Sequence, residues 1–151
     1  MTKHWLWKAA IAGFCGSLAH TLLMYLKSRT GLFPAFEPYE RFQAALSHLL
    51  GSQVHPVVPW ALSFLNGATI LSFGFGHLYS RLPGRSGVAK GLVFGVAGWL
   101  AMDLVFFPLI GLGPFAAGVG LGAEPALFAL AMILAYSLVL GAVYGALDER
   151  A

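Results

Sequence analysis

Charge is what this sequence has least of. Only 10% of its 151 residues are Asp, Glu, Lys or Arg, against roughly 25% in a typical soluble domain. Such a chain cannot cover a folded core with polar surface in water, and a hydrophobic content of 58% with a mean hydropathy of +0.77 points the same way. Cysteine is nearly missing as well. Cys15 stands alone inside an apolar stretch, so no intramolecular disulfide can form and small-residue packing is its plainest role. There is no G-x-S-x-G elbow to mark a nucleophilic hydrolase, and a Ser17 near His20 on one helix is common by chance. The glycine-rich stretches Gly111-Leu112-Gly113-Pro114 and Gly118 to Gly122 have no strand before them and no Lys after them, which sets aside a phosphate cradle. The alternating pattern of a membrane β-barrel is also absent.

What the sequence does contain is four long apolar stretches, Trp5 to Leu26, Val57 to Tyr79, Val88 to Leu112 and Pro125 to Leu147. Each has the roughly 20 residues that carry a helix across about 30 Å of hydrocarbon. A helix satisfies its own backbone groups there, so the expected fold is an all-α, integral membrane four-helix bundle forming a single transmembrane domain. Lys3 and Lys8 ahead of Ser17-Leu18-Ala19 would also suit a signal peptide. The apolar run continues through Leu22, Leu23, Met24 and Leu26, however, which is the length of an anchor. Between the first two spans, Tyr39 to Leu50 places Phe42, Ala45, Leu46, Leu49 and Leu50 on one helical face, with Glu40, Arg41, Gln43, Ser47 and His48 tending to the other. This pattern predicts an amphipathic helix lying at the outer membrane surface.

The basic residues set an expected orientation. With the N-terminus inside, Lys3, Lys8, Arg81, Arg85, Lys90 and Arg150 are cytoplasmic, and Lys27, Arg29 and Arg41 are outside. That bias predicts a multi-pass protein of the bacterial cytoplasmic (inner) membrane with both termini cytoplasmic. Trp5, Trp7, Trp60, Tyr25 and Tyr79 near the span ends suit the headgroup layer. Dispersal of the bases over two sides of a membrane removes nucleic acid as a partner. The expected partners are the lipid bilayer and either another membrane protein or a second copy in a homo-oligomer.

An internal repeat runs through the spans. Gly13-Phe14-Cys15-Gly16-Ser17-Leu18-Ala19 aligns with Gly95-Val96-Ala97-Gly98-Trp99-Leu100-Ala101, and at the same offset Gly31 and Phe33 fall on Gly113 and Phe115. Gly76-His77-Leu78-Tyr79 aligns with Gly141-Ala142-Val143-Tyr144 at a different offset, because the first outer loop is longer. Two parallel-repeat hairpins related by a pseudo-twofold along the membrane normal are expected, an organisation found in some transporters. Gly87, Gly91 and Gly95, Gly141 and Gly145, and Ala9, Gly13 and Ser17 are spaced for close helix–helix packing.

Polar residues inside spans are the candidate functional groups, because lipid makes each of them expensive. His20, Thr21, Asn66, Asp103, Tyr136 and Ser137 fall within about 8 Å of one depth at about 1.5 Å per residue. They are expected to form one polar layer, with His20 and Asp103 as its pair. That layer could be structural glue or a proton or cation relay. No metal site or cofactor is expected. His48 and His55, with Glu37 and Glu40, lack a recognised ligand spacing, His77 suits an interfacial anchor, and His20 has no second residue to complete haem ligation. No catalytic constellation is present, so the sequence leans away from an enzyme and toward a structural or accessory membrane subunit, with a small oligomeric transporter as the alternative.

The run Lys90-Gly91-Leu92-Val93-Phe94-Gly95, then Gly98-Trp99-Leu100, Phe107-Pro108-Leu109-Ile110-Gly111-Leu112-Gly113-Pro114-Phe115 and Leu140-Gly141-Ala142-Val143-Tyr144-Gly145, resembles a family of small uncharacterised bacterial inner-membrane proteins. Thr21-Leu22-Leu23-Met24-Tyr25, Gly31 and Pro34 extend the resemblance into the first span. It implies a four-helix inner-membrane fold and no activity, since that family carries a domain-of-unknown-function label. Histidines expected from it in spans two and four are replaced here by Asn66 and by Tyr136 or Ser137, so it implies no metal or haem role for this chain.

Overall fold

A computed structural model describes residues 4–149. Lys3 and Arg150, used above for orientation, lie outside the described residues. Five helices account for most of the chain: α1 (His4–Thr30), α2 (Pro38–Leu50), α3 (Val57–Leu78), α4 (Gly87–Leu109) and α5 (Glu124–Glu149). There is no strand among the described residues. All but α2 are long and apolar enough to cross a membrane, and the protein is an all-α membrane four-helix bundle. The stripe Trp7, Ile11, Phe14, Leu18 and Leu22 on α1 is exposed, as a lipid-facing surface would be.

The helix ends follow from local chemistry. Thr30 caps its own turn by donating to the Leu26 carbonyl, and Gly31 then takes the left-handed conformation (φ 66°) that ends α1. Ser86 opens α4 by accepting the Ala89 amide. At its other end α4 stops at Leu109, ahead of Leu112, because Gly111 (φ 85°) and Gly113 (φ 76°) leave the helical region.

Neither α3 nor α4 is regular throughout. Gly67–Leu71 in α3 and Met102–Phe106 in α4 are widened π turns. In α4 the cause is Pro108, which has no amide hydrogen and whose ring would press on the carbonyl one turn back; a wider turn before it relieves the clash. In α3 carbonyl oxygens at the start of the widened turn take hydrogen bonds from neighbouring helices. Ser17 Oγ of α1 donates to the Phe64 carbonyl at 3.0 Å, and the Tyr136 hydroxyl of α5 donates to the Gly67 carbonyl. Neighbouring helices thus add hydrogen bonds to this turn that lipid cannot offer.

The packing follows the repeat. α1 lies against α3 and α5, and α4 lies against α5. A Cβ on Gly95 would press on the Ser137 side chain of α5, and one on Gly13 would press on Ser72 of α3, the repeat equivalents of each other. Gly91 meets Gly141 with the same correspondence that brings Ala9 to Gly76. Gly87 and Gly145 complete the α4–α5 seam, where no side chain separates the backbones. Two buried clusters result, one near the termini around Phe75, Leu140 and Tyr144, and one at the α2 end around Phe36, Phe107 and Leu112.

Ionic contacts tie the ends. Lys8 of α1 pairs with Asp148 of α5 at 2.9 Å, so the two chain ends share one side of the bundle. On the other side Lys27 pairs with Glu37 at 2.8 Å, and its side chain is only 1% exposed. This pair ties the approach to α2 onto the end of α1. α2 is further fixed by the Tyr39 hydroxyl, which donates to Ser63 Oγ at 2.8 Å, and by the Phe42 ring against Phe106. Burial pushes the Tyr39 phenol above its ordinary value, an effect partly offset by the Ser63 hydrogen bond.

Candidate functional site: a side-opening cavity between α3 and α4

A full pseudo-twofold would close two seams alike, α1 on α5 and α3 on α4. Only the first is closed along its length. In the second, Phe75 and Phe94 meet near the termini with ring centroids 5.3 Å apart, and beyond them toward α2 the helices part around a cavity of about 650 Å³. The local reason is visible in one pair of equivalent glycines. Gly16 of α1 is filled against by the Tyr136 ring, within 2.9 Å of where its Cβ would be, whereas Gly98 of α4 has nothing within 4 Å. By the repeat offsets, the residue standing where Tyr136 stands is Leu71, which is too short to do the same, and both Leu71 and Gly98 line the cavity.

Pro38, Tyr39 and Phe42 of α2 roof the cavity on its loop side. Its walls reach the surface at Leu65, Asn66, Ile70 and Ala101, all exposed, so it opens sideways between the two helices. These openings lie at mid-span, the depth of the hydrocarbon. Phenylalanine dominates the interior, and no Lys, Arg, Asp or Glu lines it.

Of the six residues expected to form a polar layer, His20, Thr21, Asn66, Tyr136 and Ser137 all line this cavity. Tyr136 is committed to Gly67, as are Ser17 and Ser63 to Phe64 and Tyr39. His20, Thr21 and Asn66 form no side-chain hydrogen bond with other described residues, and Ser137 Oγ is buried without a partner. The unpaired His20, Thr21 and Asn66 line the cavity, whereas Ser137 Oγ is closed off against Gly95.

Asp103 stands apart, and the expected His20–Asp103 pair does not form. The carboxyl group is fully buried, neither oxygen has a hydrogen-bond partner, and it does not line the cavity. It sits in the widened turn Met102–Phe106, which packs against the loop helix Pro114–Val119. Trp99, one turn earlier, gives its indole N–H to the Ala126 carbonyl at 2.9 Å. The widened turn and the loop decided which way it faces.

Ser17, expected to pack between helices, does more than its spacing indicates. It is buried and carries a cross-helix hydrogen bond, and its signal in the sequence is the small-residue spacing with Ala9 and Gly13. Among the described residues no three His, Cys, Asp or Glu side chains gather as a metal site would require.

Fold and site together define a small helical membrane protein with a lipid-level cavity. The chain belongs to DUF6789, a family of unknown function whose model matches residues 4–151. No curated protein and no solved structure matches it.

Proposed function

We propose that this protein is a non-catalytic, accessory component of the bacterial cytoplasmic membrane that holds a lipid-soluble molecule in the cavity between α3 and α4. The observation that carries the reading is the cavity itself: about 650 Å³, within the range of ligand pockets, open at hydrocarbon depth and lined by free polar groups. A molecule could enter from the bilayer without crossing water. A conducting role would call for Asp103 in the same space as His20, and the two are separate.

Orientation with both termini cytoplasmic accords with the charges. Lys8, Arg81, Arg85 and Lys90 lie on the side of the termini, against Lys27, Arg29 and Arg41 on the α2 side.

The test is purification in native lipid with mass analysis of everything retained, for the wild type and for Gly98→Trp. Because Gly98 faces open space, the indole fills the cavity without striking backbone. A molecule retained by the wild type and lost in Gly98→Trp is the expected result; identical retention by both overturns the reading. The same preparation reads any stoichiometric protein partner or homo-oligomer.

A further inference from the structure

Resting on the reading of the cavity as a lipid-level binding site, we infer that its ligand is an uncharged, ring-headed amphiphile bearing carbonyl or hydroxyl oxygen, with an apolar tail directed out between α3 and α4. Three observations converge on this class.

Charge comes first. The cavity wall contains no Lys or Arg to receive a phosphate or carboxylate and no Asp or Glu to receive an amine. A charged head brought to this depth would stay unpaired, which is prohibitive in a low-dielectric setting. Ordinary phospholipid heads and ionised fatty acids are therefore poor occupants.

The polar groups come second. His20 presents one ring nitrogen as donor and one as acceptor, and the Asn66 amide offers both functions, as does the Thr21 hydroxyl. All three are free and line the one cavity. A wholly apolar occupant would leave them unsatisfied, whereas a head with carbonyl or hydroxyl oxygen completes them.

The shape of the wall comes third. Phe94, Phe106, Phe107 and Phe128 surround the space, and Gly98 leaves part of the α4 wall without side-chain bulk. Aromatic walls favour a planar ring, which can meet them edge-to-face or offset. The exposed Leu65 and Ile70 at the opening provide an apolar path for a tail into lipid.

The experiment is thermal unfolding of the purified full-length protein in mild detergent, titrated with 2-decyl-1,4-benzoquinone as the neutral ring-headed probe and with oleate as the charged probe. Wild type, Asn66→Leu, His20→Phe and Gly98→Trp are compared. Asn66 is exposed at the opening, so its replacement does not disturb the core.

A saturable rise in Tm with the quinone is expected in the wild type. Its apparent affinity should fall about tenfold in Asn66→Leu and His20→Phe, the loss of roughly one hydrogen bond to a buried head. The rise should vanish in Gly98→Trp, and oleate should bind at least about tenfold more weakly than the quinone. Oleate binding as tightly as the quinone, or quinone binding indifferent to both polar replacements yet abolished by Gly98→Trp, overturns the ligand class and leaves the cavity reading standing. No quinone shift in the wild type also overturns the ligand class. If retention from native lipid is then the same with and without Gly98→Trp, the cavity reading falls with it.

Discussion

Gly16 and Gly98 hold equivalent places in the two halves of the chain, yet a Cβ on Gly16 would lie 2.9 Å from the Tyr136 ring while one on Gly98 would meet nothing within 4 Å. One substitution should therefore have opposite effects at the two positions. Gly98→Ala gains helix propensity without a clash and should stabilise by about 0.5–1 kcal/mol. Gly16→Ala forces the α1–α5 seam apart and should destabilise by about 1–3 kcal/mol. Reversible unfolding in detergent of both variants checks the pair. Equal effects would mean that the two seams are packed alike.

The Tyr136 hydroxyl reaches the Gly67 carbonyl inside the widened turn of α3. Tyr136→Phe removes the donor and leaves a carbonyl with no water to turn to. The expected loss is about 1 kcal/mol, typical of interhelical hydrogen bonds in membranes. Ser17→Ala, which removes the cross-helix donor to the Phe64 carbonyl but leaves the Gly67 amide on it, should cost less. Hydrogen exchange at the amides of Gly67–Leu71 should speed up in both variants, and unchanged exchange would show that the bonds do not hold this turn.

Lys27 is buried and Glu37 is its ionic partner. Glu37→Ala leaves an ammonium with no counter-charge, and breaking such pairs costs about 3–5 kcal/mol, with the lower end expected here because Glu37 is partly exposed. α2 should loosen first. A cysteine at Phe42 in a Cys15→Ser background, shielded by Phe106, should then react with a water-soluble thiol reagent much faster than in the parent.

Asp103 accepts no well-formed hydrogen bond, because the neighbouring Trp99 indole gives its N–H to the Ala126 carbonyl. If it were structural glue, Asp103→Asn would lower Tm; as it stands, the variant should unfold no earlier than the wild type, because an unpartnered buried acid becomes a neutral amide of the same shape. A clear fall in Tm would reveal a partner for the carboxylate.

The sequence by itself determined the solvent and the elements. Length and unbroken apolarity are local properties, so four membrane-crossing helices could be read directly, as could the surface helix whose Phe42 faces inward. The spacing that lets Gly87 and Gly91 approach Gly141 and Gly145 was legible too, because only residues without bulk permit that approach.

Which polar side chains share a space was decided by tertiary structure. At 3.6 residues per turn, each extra residue in a turn rotates everything beyond it by about 100°, and α3 and α4 both contain a widened turn at the depth of the candidate site. Depth along the membrane normal survives such a change, and facing does not. That is why His20, Thr21, Asn66, Tyr136 and Ser137 line one cavity and Asp103 is turned away from it, in the turn that packs on the α4–α5 loop. The cavity depends on a non-local comparison, a tyrosine filling one seam and a leucine failing to fill its mate, and only the assembled bundle contains it.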